Sequence, residues 1–171
     1  MIQSKDRHHP LAIVNGFFDG YTRRDEMGKI SGGRVVVGGL VMAVVFVIVE
    51  FIVEGLVNLV FRVNEYELLF DAYGLSPSGA RYHIVNIGYF VLICMLIIWV
   101  YAAFRSKFGA GPKTALITCA VFLVYFLLLG LNLVNLGILP AKMALFSLAF
   151  NLVELPIAVL AGASVYKEVA G

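Results

Sequence analysis

Histidine, cysteine and tryptophan are nearly absent from this 171-residue sequence, which holds three, two and one of them. Their placing excludes several chemistries. His8, His9 and His83 all lie outside the long apolar stretches. A haem held by histidines of two buried helices is therefore excluded, and a histidine-rich metal site is not expected. His83 could ligate a metal or a pigment at a membrane edge, but the simpler reading is a surface histidine. Cys94 and Cys119 stand in different apolar segments with no CxxC pair, so neither a zinc site nor a dithiol redox centre is suggested. Buried apolar thiols are the plain alternative. No nucleophile has a base beside it, so an enzyme is not expected. Gly38-Gly39 and the Gly109-Ala110-Gly111 run follow no strand, so they read as packing and turn glycines and not as a phosphate cradle. No cofactor is called for, although a bound lipid is possible.

Charge is scarce as well. Asp, Glu, Lys and Arg make up 14% of the chain, the formal net charge is only +2, and the basic residues are scattered. Nothing here argues for a nucleic-acid partner. What the sequence has in excess is hydrophobicity: 61% of its residues are hydrophobic and its mean hydropathy is +0.92. Soluble domains run at about half apolar and about a quarter charged. A single membrane-embedded domain follows, with membrane lipid as its surroundings.

The first long run, residues 35–61, carries only Glu50 and Glu54 as charges. At about 1.5 Å per residue such a helix is roughly 40 Å long, more than a hydrocarbon core of about 30 Å requires. Further spans are expected at 84–104, ending in the aromatic cluster WVYAAF, at 114–136, and at 141–165. The fold class is thus all-α, an integral membrane four-helix bundle over residues 34–168. Residues 1–33 form a polar extension that ends in a Ser31-Gly32-Gly33 hinge. Val63, Tyr66, Leu69, Phe70 and Tyr73 fall at helical spacing, which predicts a short interfacial helix in the first loop. No cleavable signal peptide is evident, so the first span is expected to act as its own targeting signal.

Four spans place both termini on one side. Residues 1–34 hold Lys5, Arg7, Arg23, Arg24, Lys29 and Arg34 against four acids, and the 105–113 loop holds Arg105, Lys107 and Lys113 with no acid. The loop at 62–82 has Arg62 and Arg81 against three acids. Positive residues mark the cytoplasm, so the N- and C-termini are expected there.

Small and polar residues recur along three helix faces. They are Gly39, Ala43, Val47, Glu50, Glu54 and Asn58 on the first, Ala144, Ser147, Asn151, Glu154, Ala158 and Ala161 on the fourth, and Thr114, Thr118, Val121, Tyr125, Leu128, Asn132 and Asn135 on the third. Lipid gives helices no hydrophobic reason to associate; small residues allow close approach and polar ones bond across the contact. These faces are expected to point inward, with the first and fourth helices meeting. Glu50 and Glu154 fall near mid-membrane, and the one Lys or Arg within a span is Lys142 at the outer end of the fourth, too far to neutralise them. They form the candidate site, with Glu54, Asn151, Tyr125 and Asn132 in support. An ion or proton site is one reading and a helix-locking hydrogen-bonded pair is the other; in both, at least one carboxyl is expected to carry a proton at neutral pH.

Three stretches, 33–55, 99–116 and 151–168, taken in order resemble a loose family of small bacterial four-helix membrane proteins with no known activity. The first helix here has Val49-Glu50-Phe51 where such proteins often carry a glycine before the acid. The resemblance implies the same four-span fold. The functional expectation is a non-enzymatic accessory subunit of a larger complex of the bacterial inner membrane, with other membrane subunits or further copies as partners. A small oligomeric proton- or cation-coupled transporter using the intramembrane carboxylates is the alternative.

Overall fold

A computed structural model describes residues 30–61 and 80–166. The N-terminal extension, the interfacial helix expected between 62 and 79 and the residues after Tyr166 lie outside them. Four helices account for nearly all of the described chain: α1 (Gly32–Phe61), α2 (Ala80–Phe108), α3 (Pro112–Asn135) and α4 (Ala141–Val165). Each contains a segment long and apolar enough to cross a membrane, of 28, 26, 24 and 25 residues. A multi-pass, all-α membrane bundle is the result, and among the described residues there is no strand.

Local chemistry sets the helix ends. Gly32 and Gly33, expected as a hinge, form instead the opening residues of α1, and the Ser31 carbonyl accepts from the amides of Arg34 and Val35. α2 runs four residues past the expected end, through Arg105-Ser106-Lys107-Phe108, because nothing stops it before Gly109. That residue adopts φ 82°, a left-handed conformation that glycine takes without steric cost. Pro112 then begins α3, where a missing amide proton costs nothing. α3 ends at Gly137 (φ 70°), whose amide donates to the Val134 carbonyl while Ile138 donates to Leu133. That pairing is the Schellman arrangement, and Pro140 follows it to start α4.

The helices pack in a ring, each against its neighbours in sequence and α1 against α4. The α1–α4 interface is the most extensive, and α2 and α4 also touch across the diagonal. The adjacent glycines of α1 sit differently. A Cβ at Gly39 would lie 2.8 Å from the Cα of Met95 on α2, and one at Gly38 would lie between two helices, 3.0 Å from Ile98 Cγ2 on α2 and 3.1 Å from the Gly162 carbonyl oxygen on α4. Close backbone approach on both sides of α1 is thus encoded in two consecutive residues.

Burial is concentrated in one half of the bundle. Met42, Ile97, Ile98, Leu155 and Val159 are fully buried, and with Cys94, Cys119 and Ala158 they fill the half that ends at Arg105, Thr114 and Tyr166. In the opposite half Met143 is the one buried hydrophobic residue among those described. There cavities open between the helices among the described residues.

The polar faces follow this division. On α1, Gly39 and Ala43 are buried and Glu50 and Glu54 half-buried, whereas Val47 and Asn58 are exposed; on α4, Glu154 and Ala158 are buried, Ala144, Asn151 and Ala161 half-buried and Ser147 exposed. The α3 face holds for its first half only. Thr114 and Thr118 are buried beside Ala115, Cys119 and Phe122, whereas Val121, Tyr125, Leu128, Asn132 and Asn135 are exposed. Past Phe122 the side of α3 turned to α4 is the one bearing Gly130, Leu133 and Val134, with Gly130 against Ala144, and the polar stripe lies off that side. The hydroxyls also bond differently from the expected cross-helix pattern. Thr118 Oγ1 donates to the Thr114 carbonyl at 3.0 Å, and Ser164 Oγ donates to that of Ala161 at 2.7 Å. Satisfied within their own helices, these residues pack as small groups.

Candidate functional site

The larger cavity, of about 700 Å³, lies in the open half. Its walls are mostly apolar: Phe46, Phe51, Phe90 and Phe126 contribute rings, with Val47, Ile87 and Leu155 between them. Its polar groups are Glu50 from α1, His83 and Asn86 from α2, and Asn151 from α4. Helix register brings these together. From the contact of Gly39 with Met95 to the Phe46–Phe90 ring pair, edge-on at 5.1 Å between centroids, α1 and α2 run antiparallel. Continuing along both brings Glu50 level with Asn86, in the first turns of α2. From the Gly38–Gly162 crossing, the same reasoning on α1 and α4 sets Glu50 level with Asn151.

The proposed pair is thereby placed. Glu50 lies one turn past the middle of its own span and lines the cavity. Glu154 lies at the middle of α4, 4% exposed, about a turn nearer the closed half than Glu50. Glu54 follows Glu50 by one turn on the same face of α1 and is half-buried. Asn151 donates from Nδ2 to the Ser147 carbonyl at 2.7 Å, which leaves its Oδ1 as the atom able to accept from another group. Tyr125 and Asn132 are exposed on α3 and belong to neither cavity wall.

His83 and Asn86 are the cavity residues that a surface-histidine reading misses. Both are largely exposed, yet both line the space that Glu50 lines. The sequence signal is Asn86, one helical turn from His83 on the same face. A second, apolar cavity of about 330 Å³ lies between α3 and α4, lined by Leu131, Val134, Ala144 and Leu148 among others. Phe126 and Asn151 border both cavities.

The closed half carries a different polar cluster, also unforeseen from sequence. Arg105 Nη1 donates to the Tyr166 carbonyl at 2.9 Å, just past the end of α4. Its guanidinium lies 5.2 Å from the Tyr166 ring centroid and 5.8 Å from that of Tyr101. The two rings meet edge to face at 6.2 Å. The Tyr166 hydroxyl accepts from the Ser31 amide at 3.3 Å, at the start of α1. Thr114 Oγ1 donates to the Gly109 carbonyl at 2.7 Å and fixes the turn into α3. One cation thus faces the negative end of the α4 dipole and ties together the ends of α1, α2 and α4.

Among the described residues no group of three or more His, Cys, Asp or Glu is placed to hold a metal ion. Comparison with family models, curated proteins and solved structures finds no match.

Proposed function

We propose that this chain is a non-enzymatic accessory subunit of a larger complex of the bacterial inner membrane, with both termini cytoplasmic. The resemblance to small four-helix bacterial membrane proteins is part of that reading. One observation carries it: polar side chains sit on the outside of the open half. Tyr125, in the middle of α3, is 55% exposed, and Asn58 and Asn132 are exposed as well. In each span only 28% of an 18-residue apolar stretch is buried inside the bundle. Amide and phenol groups facing hydrocarbon are unfavourable, and a partner helix offers them hydrogen bonds that lipid does not. The faces bearing Tyr125 and Asn132 are therefore the natural contact with another membrane subunit.

The test is purification of the full chain from native membranes in a mild detergent, with identification of the membrane proteins that accompany it in fixed ratio. The same experiment with Asn132→Leu and Tyr125→Phe should lose or weaken that association. A chain that emerges alone and monomeric would refute the reading.

Transport is the second reading, favoured by the carboxyl of Glu50 in a cavity. The filled half opposes it, because Ile98, Cys119, Ala158 and Val159, buried apolar residues outside the cavity lining, pack that half among the described residues. Proton or cation flux in liposomes that Glu50→Gln abolishes would favour transport over the accessory role.

A further inference from the structure

We propose that the Glu50 cavity is a binding site for an amphiphile with an ammonium head and an apolar body. The inference is independent of the accessory role. A cavity of about 700 Å³ falls within the range of small-molecule sites, about 300–1,000 Å³, and has their usual make-up of apolar walls with a few convergent polar groups.

The polar groups define the head. A carboxylate is acceptor-only and has room for several donors, so Glu50 can receive an N–H whatever else it bonds. Asn151 commits its amide nitrogen to Ser147 and offers the guest an acceptor oxygen. Glu54, one turn from Glu50, adds a second acid to the same face and favours a cation there. The rings of Phe46, Phe51, Phe90 and Phe126 border this space. Aromatic faces attract a desolvated ammonium and equally accept an alkyl chain. His83 and Asn86 complete the polar lining and can each donate to or accept from the head; an anionic head would still meet Glu50 with Glu54 a turn away, and an uncharged one would forgo both the charge and the ring faces. Phe126 and Asn151 are shared with the apolar cavity between α3 and α4, so the wall on that side is apolar beyond the polar groups.

The same chemistry could come from an aminophospholipid headgroup or from a long-chain primary amine. The test uses the full chain in a neutral maltoside detergent. Thermal unfolding is followed with increasing dodecylamine and, separately, dodecanol. Native mass spectrometry on protein exchanged into phosphatidylethanolamine or phosphatidylglycerol nanodiscs reads retained lipid. Dodecylamine should raise the unfolding temperature and dodecanol should not. Glu50→Gln should weaken the amine by about tenfold or more, the effect of losing a charge-assisted hydrogen bond. Val47→Phe, which leaves Glu50 in place and fills the cavity, should abolish the shift, and it carries the test if Glu50→Gln does not fold. Selective retention of phosphatidylethanolamine, with dodecylamine displacing it, identifies the lipid as the source; an amine shift without lipid retention identifies the free amine. Equal shifts from dodecanol and dodecylamine, or wild-type amine binding by Glu50→Gln, would overturn the proposal.

Discussion

Gly162→Ala is the substitution from which the packing of this bundle can be tested most directly. A Cβ at Gly162 would lie 2.7 Å from the Gly38 carbonyl oxygen, 2.8 Å from Ile98 Cδ1 and 2.9 Å from Met42 Cβ. The Ile98 methyl can rotate aside. A carbonyl oxygen and a Cβ move only with their backbone, so α1 and α4 must separate at their crossing. Overpacking of this kind costs about 1–3 kcal/mol. Alanine returns up to about 1 kcal/mol in helix propensity, so a net loss of about 1–2 kcal/mol is expected. Gly130→Ala supplies the control. Its nearest contact would be the Ala144 Cβ at 3.9 Å, an ordinary separation, so it should be neutral or slightly stabilising. Reversible unfolding in mixed micelles, titrated with a denaturing detergent, measures both. If Gly162→Ala and Gly130→Ala prove equally stable, α1 and α4 do not meet at Gly38 and Gly162, and the register derived from that crossing fails with them.

Arg105→Ala should lower stability by about 1–3 kcal/mol through loss of a charged hydrogen bond to the Tyr166 carbonyl and of two ring contacts, with Arg105→Lys recovering only part of it. Cys94 and Cys119, 1% and 2% exposed, should resist maleimide in the folded protein and react after unfolding in dodecyl sulfate; labelling in the folded state would place them outside the core. Ser78→Cys should react with an impermeant reagent in intact cells if the termini are cytoplasmic, and reaction only after permeabilisation would reverse the topology. Glu154→Gln should be tolerated and Glu154→Leu should cost about 1–2 kcal/mol, because a buried polar partner is then left unsatisfied; equal stability of the two would show that the carboxyl makes no bond worth keeping.

The spans were legible because hydrophobicity alone sets them, and the structure shifts their ends by four residues or fewer. The meeting of α1 and α4 was legible from the small residues on both helices, but the crossing falls at Gly38 and Gly162 and not at the Gly39 of the expected face, which packs on α2. Which glycine faces which helix was not. Gly38 and Gly39 look alike in sequence, yet Gly39 packs on α2 alone and Gly38 on α2 and α4 together. Register was hidden for a related reason. The 62–79 segment is long enough to allow many alignments of α1 with α2, so nothing in the sequence placed His83 and Asn86 level with Glu50. The error on α3 has another origin. A polar stripe points inward only where it faces the neighbour, and past Phe122 α3 turns Gly130, Leu133 and Val134 toward α4 instead. Arg105 read as one charge of a basic loop because the tyrosine that receives it lies 61 positions away.

The contrast between the two halves follows from what can hold helices together in lipid. Without a hydrophobic drive, cohesion comes from close packing and from polar contacts. The half containing Gly38, Gly39 and Gly162 has the first, and the Arg105–Tyr166 cluster at its end supplies the second. The other half has large side chains that keep the backbones apart: Phe46, Phe51, Phe90 and Phe126 stand where glycines would have closed the gap. Regions of low packing density are the ones that open and bind most readily. Glu50 sits in that half, while Glu154, about a turn away along the bundle, is sealed within the packed one. The two acids were alike in sequence, each on a small-residue face with no basic neighbour. Packing separates them. A carboxyl closed in by neighbours is positioned to hold helices together, and one that borders a cavity is positioned to meet something that enters it.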